Sequence, residues 1–227
     1  MQLFYCPDIY DNYLTLPPEE GHHIFHVLRL SSGAEIQVTD GNGRLLTVRL
    51  TEVSKKNVIA EIIAELPVKE PTKKLHVAIA PTKNSDRFEW FLEKATEIGI
   101  TNVTPLLCQR SERKEIKPER LEKLIVAAAK QSQHVFFPKL NPMISFPKFI
   151  EQAMHQSKCI AHCMEEPKVS FKNIITNDTL ILIGPEGDFS PQELKFATEH
   201  NYKSVSLGDS RLRTETAAVV ACALFSI

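Results

Sequence analysis

Two short stretches near the C-terminal end combine residue types that hold small ligands. Leu180, Ile181, Leu182 and Ile183 run into Gly184, Pro185, Glu186 and Gly187; Val205, Ser206 and Leu207 run into Gly208, Asp209, Ser210 and Arg211. Each stretch reads as strand, glycine loop, helix. In open α/β sheets ligands bind beyond the carboxyl ends of strands, where loops converge and backbone N–H groups are free. Glycines at 184, 187 and 208 let a ligand approach the backbone, and Pro185 stiffens the first loop. Neither loop is a phosphate cradle, because no Gly-x-Gly-x-x-Gly occurs and no Gly-Lys-Ser/Thr follows a glycine loop. That disfavours a dinucleotide or triphosphate and suits a neutral or zwitterionic ligand with an adenine-like face. Tight turns need glycine in any case, so the loops alone admit a purely structural reading.

Other reactive side chains carry less. His22, His23 and His26 invite a metal reading because positions four apart share a helix face, but the glutamate and third ligand of a His-Glu-x-x-His site are missing. His155, Cys159, His162 and Cys163 match no zinc spacing and fall across two elements, so buried inert thiols are the expectation and no metal is assigned. Residues 71–140 hold thirteen Lys or Arg against eight Asp or Glu, whereas both flanks are acidic. Arg110, Arg113, Lys114, Lys117, Arg120 and Lys123 are the densest cations, interleaved with Glu112, Glu115, Glu119 and Glu122. A polyanion-binding face and an ion-paired solvated face both fit that pattern.

The elements that must position these residues follow from periodicity. The 227 residues are 43% hydrophobic, enough to bury a core in one large or two unequal domains. No apolar run approaches bilayer length, residues 1–8 lack the basic start and apolar body of a leader, and five cysteines in apolar contexts read as reduced; a cytoplasmic location is expected. Up to residue 66 the pattern predicts a small, mostly antiparallel β unit with one helix through His22 and Leu28, and a hairpin of 35–40 and 44–53 around Asp40-Gly41-Asn42-Gly43. A polar, proline-containing linker follows, then strands and helices alternate, predicting a largely parallel sheet. Strands are expected at 75–80, 103–108 and 159–164, and helices from Asn84 to Gly99, from Pro118, and over 149–155. Ser190, Pro191, Gln192 and Glu193 form a capping box directly after the first loop. Thr214 and Glu215 are expected to cap and charge a final helix that is apolar almost all round, which calls for cover by its own domain or a second copy of the chain.

Taken together, Ile183, Gly184, Pro185, Glu186, Gly187, Phe189, Ser190 and Glu193, followed by Leu207, Gly208, Arg211, Leu212, Arg213, Thr214, Glu215, Thr216 and Ala217, resemble the two C-terminal signatures of the RsmE family, the 16S rRNA (uracil) N3-methyltransferases of the SPOUT class. Glu89, Lys94, Ala95, Thr96, Glu97, Gly99 and Pro105 resemble that family's central block, and His23, Val27, Leu28 and Arg29 its N-terminal element. The likeness runs in order along nearly the whole chain. It implies a SPOUT-type knotted α/β methyltransferase domain over 72–227, with a deep trefoil knot, and a small PUA-like β-barrel RNA-binding domain over 1–68. It also implies S-adenosylmethionine, a homodimer, and one uridine of 16S rRNA in the assembled small ribosomal subunit as substrate. Asp188 stands where the family usually has glycine, and Lys130 and His134 flank Gln131 and Ser132 where Glu and Arg are usual.

Carried over position by position, the resemblance puts Ile183, Gly184, Gly187, Leu207, Gly208, Ser210, Arg211 and Leu212 on the cofactor, with 75–81 as a further wall. Arg29 and Arg213 would face RNA or the target base; Arg110, Arg113 and Lys114 are RNA-contact candidates from their charge density, not from the resemblance. Methylating uracil N3 needs in-line attack on a sulfonium methyl and loss of an imide proton. Arg213 is the candidate for stabilising the uracil anion. Glu215 is either the proton acceptor or a carboxylate that complements the helix dipole. A non-catalytic RNA-binding assembly factor on the same fold is the alternative.

Overall fold

Period-two alternation of buried and exposed side chains sets up the first sheet. The computed structural model describes residues 2–9 and 11–227; Met1 and Tyr10, inside the expected N-terminal β unit, lie outside the described residues. Strands β1 (Leu3–Tyr5), β2 (Tyr13–Thr15), β3 (Glu35–Thr39), β4 (Leu45–Val53) and β5 (Val58–Leu66) form one sheet in the order β1-β3-β4-β5-β2. Only the β1–β3 pairing is parallel. The expected hairpin turn is present, with the Asp40 carboxylate accepting from the N–H groups of Asn42 and Arg44 at 2.8 and 3.1 Å. Register shifts at Thr47/Val48 and Leu50/Glu52 bend the β4–β5 ladder, and the sheet curls as half a barrel over Phe4, Ile24, Val38, Leu46 and Val48.

Between β2 and β3 the sequence predicts one helix. The structure has α1 (Pro18–His22), opened by proline, running into a wider π-helical turn over His23–Leu28. Arg29 closes it in the left-handed region (φ 53°), its N–H reaching back to the Ile24 carbonyl.

The chain divides into two compact units, one of residues up to Glu70 with Val126–Phe137, the other of Pro71–Ile125 with Pro138–Ile227. In the first unit Gly43 N–H donates to the Val135 carbonyl at 2.9 Å and Phe137 N–H to that of Gly41 at 2.8 Å. The Phe136 and Phe137 rings fill the space that a Cβ would take on Gly43 and Gly41.

In the second unit strands and helices alternate as expected: β6 (Lys74–Ile79), α2 (Ser85–Ile98), β7 (Asn102–Leu107), the first part of α3 (Pro118–Gln131), β8 (Lys139–Leu140), β9 (Ile144–Ser145), α4 (Phe146–Gln152), β10 (Ser157–Ala161), β11 (Val169–Ser170), β12 (Asp178–Ile183), α5 (Pro191–Glu199), β13 (Lys203–Ser206) and α6 (Thr214–Ser226). The sheet is parallel throughout, in the order β11-β13-β10-β12-β6-β7-β8, with β9 also on β7. Its central strands are continuous apolar runs because parallel sheets are covered on both faces; β6 and β12 each bury all but their first residue. Asn84 caps α2, and Gly99 ends it at φ 92°.

Several boundaries differ from the sequence reading, among them both ends of α4, which closes at Gln152 rather than 155. Helix α4 starts at Phe146 instead of 149, because Pro147 sits in the first turn, where its missing N–H costs nothing. Strand β10 stops at Ala161 and leaves His162 and Cys163 beyond its end. The N-cap of α6 is Arg213, so Thr214 and Glu215 lie inside the first turn. All five cysteines are free, and burial pushes the thiols of Cys159 and Cys222 up to about 11 and about 12. His155, Cys159, His162 and Cys163 do not converge, and among the described residues no group of three His, Cys, Asp or Glu is placed to hold a metal. Among the described residues no helix is long and apolar enough to cross a membrane.

Candidate active site

The two glycine loops open side by side past the carboxyl ends of β12 and β13, with the end of β10 between them. The first is a tight turn: Asp188 N–H donates to the Pro185 carbonyl at 2.9 Å, and Asp188 takes φ 62°. The Asp188 carboxylate fixes the turn on two sides, accepting from Phe189 N–H and from Cys163 N–H, both at 2.8 Å. Contact favours glycine at 184, since a Cβ there would lie 3.1 Å from the buried Phe189 ring and push it aside by a few tenths of an ångström. The capping box then starts α5: Ser190 Oγ accepts from Glu193 N–H, and the Glu193 carboxylate accepts from Ser190 N–H at 2.8 Å and Gln109 N–H at 2.8 Å. In the second loop Gly208 sits at φ 138°, its N–H donating to Ser206 Oγ.

Together these loops bound a cavity of about 700 Å³. Of the eight expected cofactor residues, Ile183, Gly184, Leu207, Gly208, Ser210, Arg211 and Leu212 line it. Gly187 does not; it is exposed on the outside of the turn, its carbonyl accepting from Arg110 at 2.9 Å. Residues 75–81 supply no wall either, because β6 lies across β12 from β10 and β13. Their place is taken by Ala161 at the end of β10, by His162, Cys163 and Lys168 after it, and by Arg87 of α2.

Arg213 is exposed and on the cavity wall. Glu215 is off it: the first turn of α6 turns this side chain inward, where Oε1 lies 3.8 Å from Arg87 Nε and Oε2 is buried without a hydrogen bond. Arg110 and Arg113 are engaged by backbone carbonyls, Arg110 by Gly187 and Phe189, Arg113 by Thr82 and Lys83. Lys114 is exposed, as is Arg29 in the first unit. Arg87 and Lys168 carry no local motif, and His162 has one only as a metal candidate. Tertiary placement alone reveals them.

Such a cavity, walled by glycine loops and by charges of both signs, suits a zwitterionic ligand, and relatives bear on which one. Residues 68–226 match a family described as an RNA methyltransferase domain, and residues 16–63 one described as an RNA methyltransferase PUA domain. Ribosomal RNA small subunit methyltransferase E of Bacillus subtilis is 30% identical over 93% of this chain and 89% of its own length. The chain belongs to the ribosomal RNA small subunit methyltransferase E family. Within and around that family, the crystal structure of a probable rRNA-methyltransferase from Porphyromonas gingivalis superposes with a TM-score of 0.92 at 38% identity, covering 98% of this chain and 96% of that one. The ribosomal RNA small subunit methyltransferase E of Neisseria gonorrhoeae, solved bound to S-adenosyl methionine, superposes with a TM-score of 0.88 at 27% identity, covering 98% and 95%. The two matched descriptions follow one another along the chain, whereas the first compact unit also takes in Val126–Phe137.

Proposed function

We propose that this chain transfers the methyl group of S-adenosylmethionine to N3 of one uridine of 16S rRNA in the small ribosomal subunit, as a cytoplasmic homodimer. Residues 1–68 would serve as the RNA-binding domain and 72–227 as the methyltransferase domain. Family membership and the S-adenosylmethionine-bound relative support cofactor-dependent rRNA methylation. The observation that carries the reading is the cavity at the ends of β10, β12 and β13.

The residues present fit the cofactor. Ile183, Leu207, Leu212 and Ala217 give apolar surface for a base, the glycine loops offer backbone groups, and Asp188, Asp209 and Arg211 give charges of both signs for an amino acid moiety. S-adenosylmethionine would supply an electrophilic methyl on a sulfonium. The protein's part is then positioning, which is worth up to about 7–11 kcal/mol of the barrier when reacting atoms are held in line. Arg213, exposed on the wall and at the start of α6, stabilises the negative charge that develops on the uracil carbonyl oxygens as the N3 proton is lost to solvent. Glu215, buried against Arg87, contributes by orienting that arginine. Lys114 and Arg29 are exposed cations for phosphate contact, while Arg110 and Arg113 shape the loops. The half-buried Val219, Val220 and Leu224 of α6 leave apolar surface for a second copy to cover.

Calorimetry with S-adenosylmethionine, then transfer of labelled methyl to undermethylated small subunits with identification of the nucleoside, tests the reading. Expected are cofactor binding and 3-methyluridine. Arg213→Ala should leave cofactor binding within about threefold and reduce turnover by roughly a hundredfold or more. Binding without transfer to any RNA would favour a non-catalytic assembly factor instead.

A further inference from the structure

His162 stands just past the end of β10, between the strands that feed the two loops. It is 8% exposed and lines the cavity, and Nδ1 and Nε2 are both buried without a hydrogen-bond partner, so the imidazole turns in place to present either nitrogen to a ligand. A buried polar group left unmet costs about 1–3 kcal/mol, so native proteins keep one where something else completes it. Its neighbours on the wall are the cation Lys168 and the anion Asp188, neither bonded to it. Burial, reinforced by Lys168 and opposed by Asp188 and Glu166, holds the imidazole below its ordinary pKa and therefore neutral. A neutral imidazole offers one donor and one acceptor and no charge. The charged ends of a zwitterionic ligand have better partners in Asp209 and Arg211.

We propose that His162 hydrogen-bonds the uncharged nucleoside part of the bound ligand, through its ribose hydroxyls or adenine edge, and so determines nucleoside specificity. This rests on S-adenosylmethionine being the ligand. The cost of leaving both ring nitrogens unmet is carried by the free protein and relieved on binding. Removing the imidazole therefore weakens binding without weakening the fold, opposite to what loss of a structural histidine does.

The test compares wild-type protein with His162→Leu and His162→Gln, measuring affinity for S-adenosylmethionine and for 5′-methylthioadenosine, which lacks the amino acid, alongside thermal stability. His162→Leu should bind both ligands roughly three- to tenfold more weakly, with a melting temperature equal to or above wild type. Gln, a neutral donor and acceptor, should recover most of the affinity. Ring-15N NMR should show the His162 nitrogen resonances shift when methylthioadenosine is added, as one of them gains a hydrogen bond. Analogues lacking the 2′- or 3′-hydroxyl distinguish ribose from base: the partner is the ribose if the His162→Leu penalty disappears with one of them, and the base edge if it persists. Unchanged affinity in His162→Leu would overturn the inference, as would a penalty for S-adenosylmethionine but not methylthioadenosine, or a fall in stability of both variants. If wild-type protein bound neither ligand, the cofactor reading itself would fall, and this inference with it.

Discussion

Asp188 holds a backbone conformation that glycine adopts at least cost, at φ 62°, and its own carboxylate holds it there. Oδ1 and Oδ2 each take a backbone N–H, from Phe189 on the same turn and from Cys163 past β10, and so join two walls of the cavity. Replacing it separates two effects. Asp188→Gly keeps the conformation and loses both bonds, for about 1 kcal/mol; Asp188→Ala loses both bonds and is strained as well, for about 2 kcal/mol. Urea denaturation gives the order, and calorimetry should show weaker S-adenosylmethionine binding in both, since the walls are no longer tied. A glycine variant as stable as wild type would mean the carboxylate merely tolerates the turn. At this scale the sequence was informative where chemistry is local. The loop glycines, the capping box and the oddity at 188 could all be read from neighbours in the chain. Gly187 could not be placed, because which side of a turn faces a ligand depends on Arg110, 77 residues away. Arg87 and the inward turn of Glu215 depend on packing between α2 and α6, of which neither helix carries a local sign.

At the level of elements, the parallel sheet has different chemistry at its two ends. Beyond the carboxyl ends lie the glycine loops. At the amino ends runs a polar chain, buried at His76 and Thr104 and half-buried at its ends: Asp178 Oδ1 to His155 Nδ1 at 2.8 Å, His155 Nε2 to His76 Nδ1 at 3.2 Å, His76 Nε2 to Thr104 Oγ1 at 2.7 Å, and Asn141 Nδ2 to the same hydroxyl at 2.9 Å. It ties β12, the segment before β10, β6 and β7 together. Burial, helped by the adjacent His155 imidazole and opposed by Asp178, pushes His76 down from 6.5 to about 4. The unfolded chain therefore takes up this proton first. Stability from a neutral His76 is complete above about pH 6.5, declines as pH falls, and is lost by about pH 4, a change on the order of 3 kcal/mol. Urea midpoints measured between pH 4 and 7.5 should fall along that curve and fall less in His76→Gln; parallel curves would place the titration elsewhere. Periodicity found these strands because each is apolar on both faces, yet a lone histidine in an apolar strand gives no sign of its partners. For His155 the spacing argued only against a metal; it could not show that the imidazole is bonded to Asp178 and His76.

For the whole molecule, chain order and compactness part company at Val126–Phe137, which belongs with residues up to Glu70. Nothing in periodicity reveals this, because the helix carrying Lys130 reads as one amphipathic run from Pro118. Beside the backbone bonds and rings at Gly41 and Gly43, one physical link is a charge pair. Glu20 is 5% exposed, its Oε1 paired with Lys130 Nζ and its Oε2 without a partner. Breaking a buried pair leaves a desolvated charge, whereas replacing both members with apolar groups removes the problem. Lys130 keeps some contact with water, its side chain being 25% exposed, so Lys130→Ala should cost about 2–3 kcal/mol, below the range for a fully buried pair. The double variant Glu20→Leu with Lys130→Met should recover most of that, and the non-additivity measures the coupling. Hydrogen exchange locates the effect: in Lys130→Ala, protection should fall in β3, β4 and β5 and stay unchanged in β6 and β12. Equal loss in both sets of strands would show that the two units unfold as one, and that the pair stabilises the molecule as a whole.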